Sequence, residues 1–191
     1  MPIVINGSGT VTGLSAGGIS NATAVASAAM PAGSIVQVVQ ATELDDHTST
    51  TTSWADVSGM TVNITPSSAS NKVLVQCCLT ASADTRYAGF KLLRDSTDIA
   101  IGNADGSHRE RITMSIGSNS SATNDNYCMR NRTITWLDSP SSTSALTYKL
   151  QWRIHHSTGN MYLNRVAVSS NDDEGWNARV PSTITVMEIK G

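Results

Sequence analysis

From residue 34 onward, apolar side chains recur at every second position over short runs, and polar turn residues separate the runs. A period of two sends successive side chains to opposite faces, so each run predicts a half-buried β-strand. The Val-rich run 35–41 comes first; Met60, Val62 and Ile64 then alternate with Thr61 and Asn63. Past a loop at 66–71, Val73, Val75, Cys77 and Leu79 line one face of the next strand. Phe90 and Leu92 run into a turn at 94–98, and Ile99 and Ile101 return from it. Ile112, Met114 and Ile116 alternate before a polar loop at 118–126. Arg132, Ile134 and Trp136 carry a further strand to the stop at Leu137-Asp138-Ser139-Pro140.

The clearest alternation follows. Leu146, Tyr148, Leu150, Trp152 and Ile154 face one way, and Thr147, Lys149, Gln151, Arg153 and His155 face the other. A slip of one residue would exchange the two sets, so this register is tightly specified. Met161 and Leu163, a loop at 169–176 and a last strand at 183–189 complete the chain. Eight to ten short strands without a helical period predict an all-β fold, an antiparallel β-sandwich with a jelly roll as the favoured form. The last strand is expected to pair centrally, beside the first.

Residues 1–33 differ in kind. Glu43 is the first charged residue, and what precedes it is mostly Gly, Ala, Ser and Thr. Such a segment has too little apolar surface for a core of its own, which predicts an extended N-terminal arm at 1–33 ahead of a domain at 34–191. Ile3-Val4-Ile5 suits addition to a neighbouring strand. The Ala-rich stretch 20–30 suits a short helix capped by Ser20 or Asn21 and ended by Pro31. A helix that short is marginal alone in water and needs a partner. Ile3, Val4, Ile5, Val11, Leu14, Ile19 and Val25 are therefore the expected docking residues of an anchor that folds on its partner.

Composition supports assembly over solution chemistry. Only 15% of the 191 residues are charged, with a net charge of −2, against about 25% charged in an average domain. The surface has little charge to keep it apart from other proteins. No cluster of Lys and Arg interleaves with aromatics, so nucleic acid is not an expected partner. No apolar run approaches the ~18 residues of a membrane span, and the start MPIVINGSG lacks the basic and apolar regions of a secretory signal. The three cysteines lack paired spacing and read as buried thiols, with Cys77 and Cys78 on opposite faces of one strand, in a protein that matures in a reducing cytoplasm.

Candidate chemistry is thin. Gly13-Leu14-Ser15-Ala16-Gly17 matches the hydrolase nucleophile elbow, but only a dozen residues precede Ser15 and no βα alternation follows. Gly7-Ser8-Gly9 lacks the spacing and βαβ context of a phosphate loop. His155 and His156 are adjacent on a strand end and point apart, poor geometry for one metal; His108 lies in a loop within reach of Glu110. The acidic loop Asp172-Asp173-Glu174 lacks the alternation of a calcium loop and reads as a solvated turn, with Asp172 and Glu174 the candidates if a cation binds. Neither a catalytic set, a metal nor a cofactor is expected. Trp136 and Trp152 read as core. Trp54 and Trp176, beside polar loops with Asp56 and Asn177 near them in sequence, suit an interface, the core or a sugar-stacking surface.

Several phrases, in this order and spacing, carry a resemblance: INGSGTVTGLSAGGI, MPAGSIVQVVQAT, VNITPSSASNKVLV, KLLRDSTDIAIGNADGSHR, WLDSPSSTSALTYKLQWRI and STITVMEIKG. Nearly the whole chain resembles small tail-fibre-like structural proteins of tailed phages, particularly those of marine bacteria and cyanobacteria. The resemblance implies a non-enzymatic, trimeric virion surface protein with a jelly-roll body, assembled in the host cytoplasm and partnered by capsid, tail or baseplate proteins. A tail-fibre role would turn polar loops towards a host surface glycan. A capsid decoration (cement) role would lay the arm across capsomer joints, and the chain is short for a fibre and of suitable size for cement. A free carbohydrate-binding module is the remaining expectation from another class.

Overall fold

The computed structural model describes residues 4–5, 11–12, 30–85, 87–107, 110–116, 127–155, 158–168 and 177–191. The chain divides into two units, Met1–Pro31 and Ala32–Gly191. In the first, β1 (Val4–Ile5) and β2 (Val11–Thr12) pair antiparallel, Val4 opposite Thr12 and Ile5 opposite Val11. Val4 and Ile5, expected to suit addition to a neighbouring strand, thus pair with Thr12 and Val11. Ile3, Leu14, Ile19 and Val25, the Gly-x-Ser-x-Gly motif and, but for Met30, the Ala-rich stretch 20–30 lie outside the described residues.

The second unit contains β3 (Ile35–Glu43), β4 (His47–Ser49), β5 (Ala55–Ile64), β6 (Lys72–Ala83), β7 (Ala88–Arg94) and β8 (Thr97–Ile99), then β9 (Met114–Ile116), β10 (Arg130–Asp138), β11 (Leu146–Ile154), β12 (Met161–Leu163) and β13 (Ser182–Ile189). All pairings are antiparallel. The larger sheet runs β10-β6-β13-β3, with β12 and β4 continuing the lanes of β13 and β3. The smaller runs β5-β11-β7, with β8 and β9 sharing the far edge of β7. The last strand does pair with the first, and Gly33 N–H donates to Lys190 C=O at 2.8 Å as Lys190 N–H donates to Ser34 C=O at 2.8 Å. The body begins and ends side by side.

One apolar cluster lies between the sheets. Val73, Val75, Cys77 and Leu79 of β6 are buried, as are all five alternate residues of β11. Burial pushes the Cys77 thiol pKa up to about 12, so it behaves as a small hydrophobe. Cys78, on the opposite face, is half-buried and Cys128 is exposed, so the expectation of buried thiols holds for Cys77 alone. Trp152 is core, as expected, but Trp136 is 42% exposed. Trp136 shares the inward parity of Ile134, yet among the described residues β10 pairs on one side only, with β6. Alternation assigns a face and not a depth, and an edge strand need not be roofed by the other sheet.

Two buried carboxylates pin the sheet ends. Glu188 on β13 is fully buried and accepts hydrogen bonds from Gln37 Nε2 (2.6 Å), Ser67 N–H (2.7 Å), Ser67 Oγ (2.8 Å) and Asn71 Nδ2. Burial alone would raise its pKa, but these donors stabilise the ionised form and hold it below the usual value. Asp138 ends β10 and accepts from Arg94 Nη1 and Tyr148 Oη, each at 2.7 Å. Burial and that carboxylate both push the Tyr148 phenol upward. Gly59 (φ +73°) lies in a bulge of β5, and an added Cβ there would collide with the Glu43 carboxylate.

Candidate functional site

The register of the smaller sheet builds a cleft on its outer face. Arg153 of β11 stands opposite Gly89 of β7, and Gly89 stands opposite Ser115 of β9. On the other side of β11, Trp152 pairs with Ala55, so Trp54 falls one step further, beside Arg153. A single row thus reads Trp54, Arg153, Gly89, Ser115. Glycine leaves the middle of that row without a side chain. An added Cβ at Gly89 would come within 3.0 Å of Ile112 Cδ1, so the missing atom also lets Ile112 pack onto the strand. The result is a cleft of about 370 Å³, bordered further by Tyr87, Glu110 and His155. Its size falls at the small end of the ligand-site range, about 300–1,000 Å³.

Charge in the cleft is arranged in pairs. Glu110 Oε1 lies 2.7 Å from Arg153 Nη2, and its other oxygen lies 3.7 Å from His155 Nδ1. Arg153 Nη2 also approaches His155 Nδ1 at 3.2 Å. The Arg153 guanidinium carbon is 5.2 Å from the centroid of the Trp54 ring, and Lys91 Nζ is 4.8 Å from it. Both are within cation–π range. Lys91 is itself paired with Asp98 at 2.6 Å. Tyr87 packs edge-on to His155, with centroids 6.2 Å apart, and His155 N–H donates to Tyr87 C=O at 2.7 Å. A guanidinium has five N–H donors and a carboxylate about four acceptor sites. One ion pair therefore leaves donors and acceptors of both groups for a bound molecule.

Trp54 was legible as a contact residue, but its neighbours are Lys91 and Arg153. Asp56, near it in sequence, binds Lys149 Nζ (2.8 Å) and Gln151 Nε2 (2.7 Å) instead. Asn177 is half-buried and does not line the cleft; Trp176, His108, His156 and the acidic loop at 172–174 lie outside the described residues. Glu110, within sequence reach of His108, makes its ion pairs with Arg153 and His155. Of the neighbouring acidic residues Asp45 and Asp46, Asp46 is used structurally, bridging Arg165 Nε (2.9 Å) and Arg179. Among the described residues, no cluster of His, Cys, Asp or Glu has metal-site geometry. Gly89, Tyr87 and Ile112 were missed as site residues. The available signal was the glycine inside a strand, which marks a close approach.

The opposite outer face, on the larger sheet, differs. Val38, Met187, Leu74 and Leu137 fall in one row across β3, β13, β6 and β10. Val38 is 55% and Leu137 47% exposed. The rows beyond are Gln40, Thr185, Gln76, Thr135 and then Thr42, Thr183, Cys78, Thr133, all uncharged. No protein-family model matches the chain, and no curated protein matches it.

Proposed function

We propose that this chain is a non-enzymatic structural protein of a phage virion surface, trimeric, with residues 1–33 as its anchoring arm and a jelly-roll body that serves as a tail-fibre or receptor-binding module. The observation that carries this reading is the division between the two outer faces. A face with a transverse apolar row and two further uncharged rows suits packing against other protein, while the opposite face is charged and bears the cleft. The strand orders β10-β6-β13-β3 and β5-β11-β7-β9 support the jelly roll. They are what eight strands make when two Greek keys wrap around one core. The resemblance of nearly the whole sequence to tail-fibre-like proteins supports the virion assignment.

Capsid decoration is the second reading. The same apolar row favours it, because a face with so little charge also suits adhesion to a shell. Two measurements test the pair. Light scattering on the purified chain should give a trimer, and a stable monomer at all concentrations overturns the trimeric assignment. Immunogold labelling of particles should mark the tail; label spread over the head selects decoration, and unlabelled particles reject both.

A further inference from the structure

We propose that the cleft on the smaller sheet binds a neutral pyranose, as the terminal unit of a surface saccharide; this deepens the receptor-binding reading and rests on it. The row Trp54, Arg153, Gly89, Ser115 supplies the shape: an aromatic wall at one end, a hydroxyl at the other and an open floor between. Tyr87, 53% exposed, stands at the rim. A pyranose has an apolar C–H face and a ring of hydroxyls that both donate and accept. The aromatic walls and Ile112 match the first, and Glu110, Arg153 and Ser115 match the second.

Charge selects against ionised ligands. Among the described residues, Arg153 is the one Lys or Arg lining the floor, and it is already paired with Glu110 at 2.7 Å, so an anion placed on the guanidinium would also face that carboxylate. A cation is disfavoured from the other side. The Trp54 ring already has Lys91 and Arg153 as cation–π partners, 4.8 and 5.2 Å from its centroid. What remains is a ligand that uses many weak donors and acceptors without net charge. Hydrogen bonds to the ionised Glu110 and Arg153 would be the strong ones.

The test uses the full-length protein and NMR, with the indole N–H of Trp54, identified through a Trp54→Phe variant, as reporter. The probes are glucose, galactose, mannose and N-acetylglucosamine, against glucuronate and glucosamine as charged counterparts. At least one neutral sugar should shift the Trp54 resonance saturably, and the charged counterparts should bind about tenfold or more weakly. Glu110→Gln, which keeps shape but removes charge, and Tyr87→Ala should each weaken binding about tenfold. Ser115→Trp, at an exposed strand position, should block the cleft and abolish binding without depending on either variant's folding. Lack of a saturable shift with every neutral sugar overturns the proposal. Equal binding of glucuronate or glucosamine overturns the neutral assignment, and wild-type affinity in Ser115→Trp moves the site elsewhere. Particle labelling is independent of this titration, so a failed cleft and a failed virion assignment are told apart.

Discussion

The two sheets keep their carboxylates in opposite places. The smaller sheet wears them outside, as ion pairs on its outer face: Lys149 with Asp56 (2.8 Å), Lys91 with Asp98 (2.6 Å) and Arg153 with Glu110 (2.7 Å). The larger sheet takes carboxylates inward, at Glu188 and Asp138, and leaves three registered rows across the middle of its outer face uncharged, with Lys72 in the row next to Leu74. Solvated pairs cost little to form and contribute little to stability. Buried carboxylates must be fully hydrogen-bonded, and then each becomes costly to lose. The smaller sheet is therefore free to vary its surface for recognition, while the larger ties the strand ends together and presents a surface suited to being covered.

The difference is easiest to break at Glu188. Glu188→Ala leaves the buried Asn71 amide and the Ser67 donors without their acceptor and should cost about 3 kcal/mol of unfolding free energy, read by urea titration. The same group gives the pH dependence a sign. Its folded pKa lies below the ordinary 4.5, so its contribution is complete above 4.5 and is lost as pH falls through the lower folded value. Glu188→Ala should flatten that acid limb, and an unchanged limb would assign it to other carboxylates.

The neutral face comes next. Leu137→Asp places a charge within the exposed apolar row and should weaken self-association about a hundredfold, roughly 2.7 kcal/mol, in sedimentation at graded concentrations. Lys149→Asp, on the opposite face, should leave association unchanged. If the two variants behave alike, the faces do not divide the labour as described. Tyr148→Phe removes one donor from Asp138 while Arg94 remains, and a loss of about 1 kcal/mol is expected in the thermal or urea transition. The smallest effect belongs to the charged face: Asp56→Asn should change stability by less than about 0.5 kcal/mol. A loss there comparable to that of Glu188→Ala would erase the contrast.

How far each feature was legible follows from its range along the chain. β11 was readable residue by residue because alternation is local, and Leu146 through Ile154 all lie on the faces expected. Trp136 was misread because burial depends on what lies opposite a strand, which no local pattern reports. The Glu188 node joins residues 37, 67, 71 and 188. A lone Glu in a strand reads as solvent-facing until its donors are known. The cleft likewise draws on residues near 54, 87, 110 and 153, and of its walls only Trp54 reads from the sequence as a contact residue.

By itself, the sequence determined the strand periods, the all-β antiparallel class, the sharp change in composition at Glu43 and the scarcity of charge. All of these are properties of neighbouring residues or of the sum. Tertiary structure alone decided which strands meet, and so where each charge and each exposed apolar residue stands. Register brought Val38, Met187, Leu74 and Leu137 into one row and set Gly89 between Arg153 and Ser115. Pairing across a sheet joins residues that no local rule connects, and both the neutral row and the cleft exist only through that pairing.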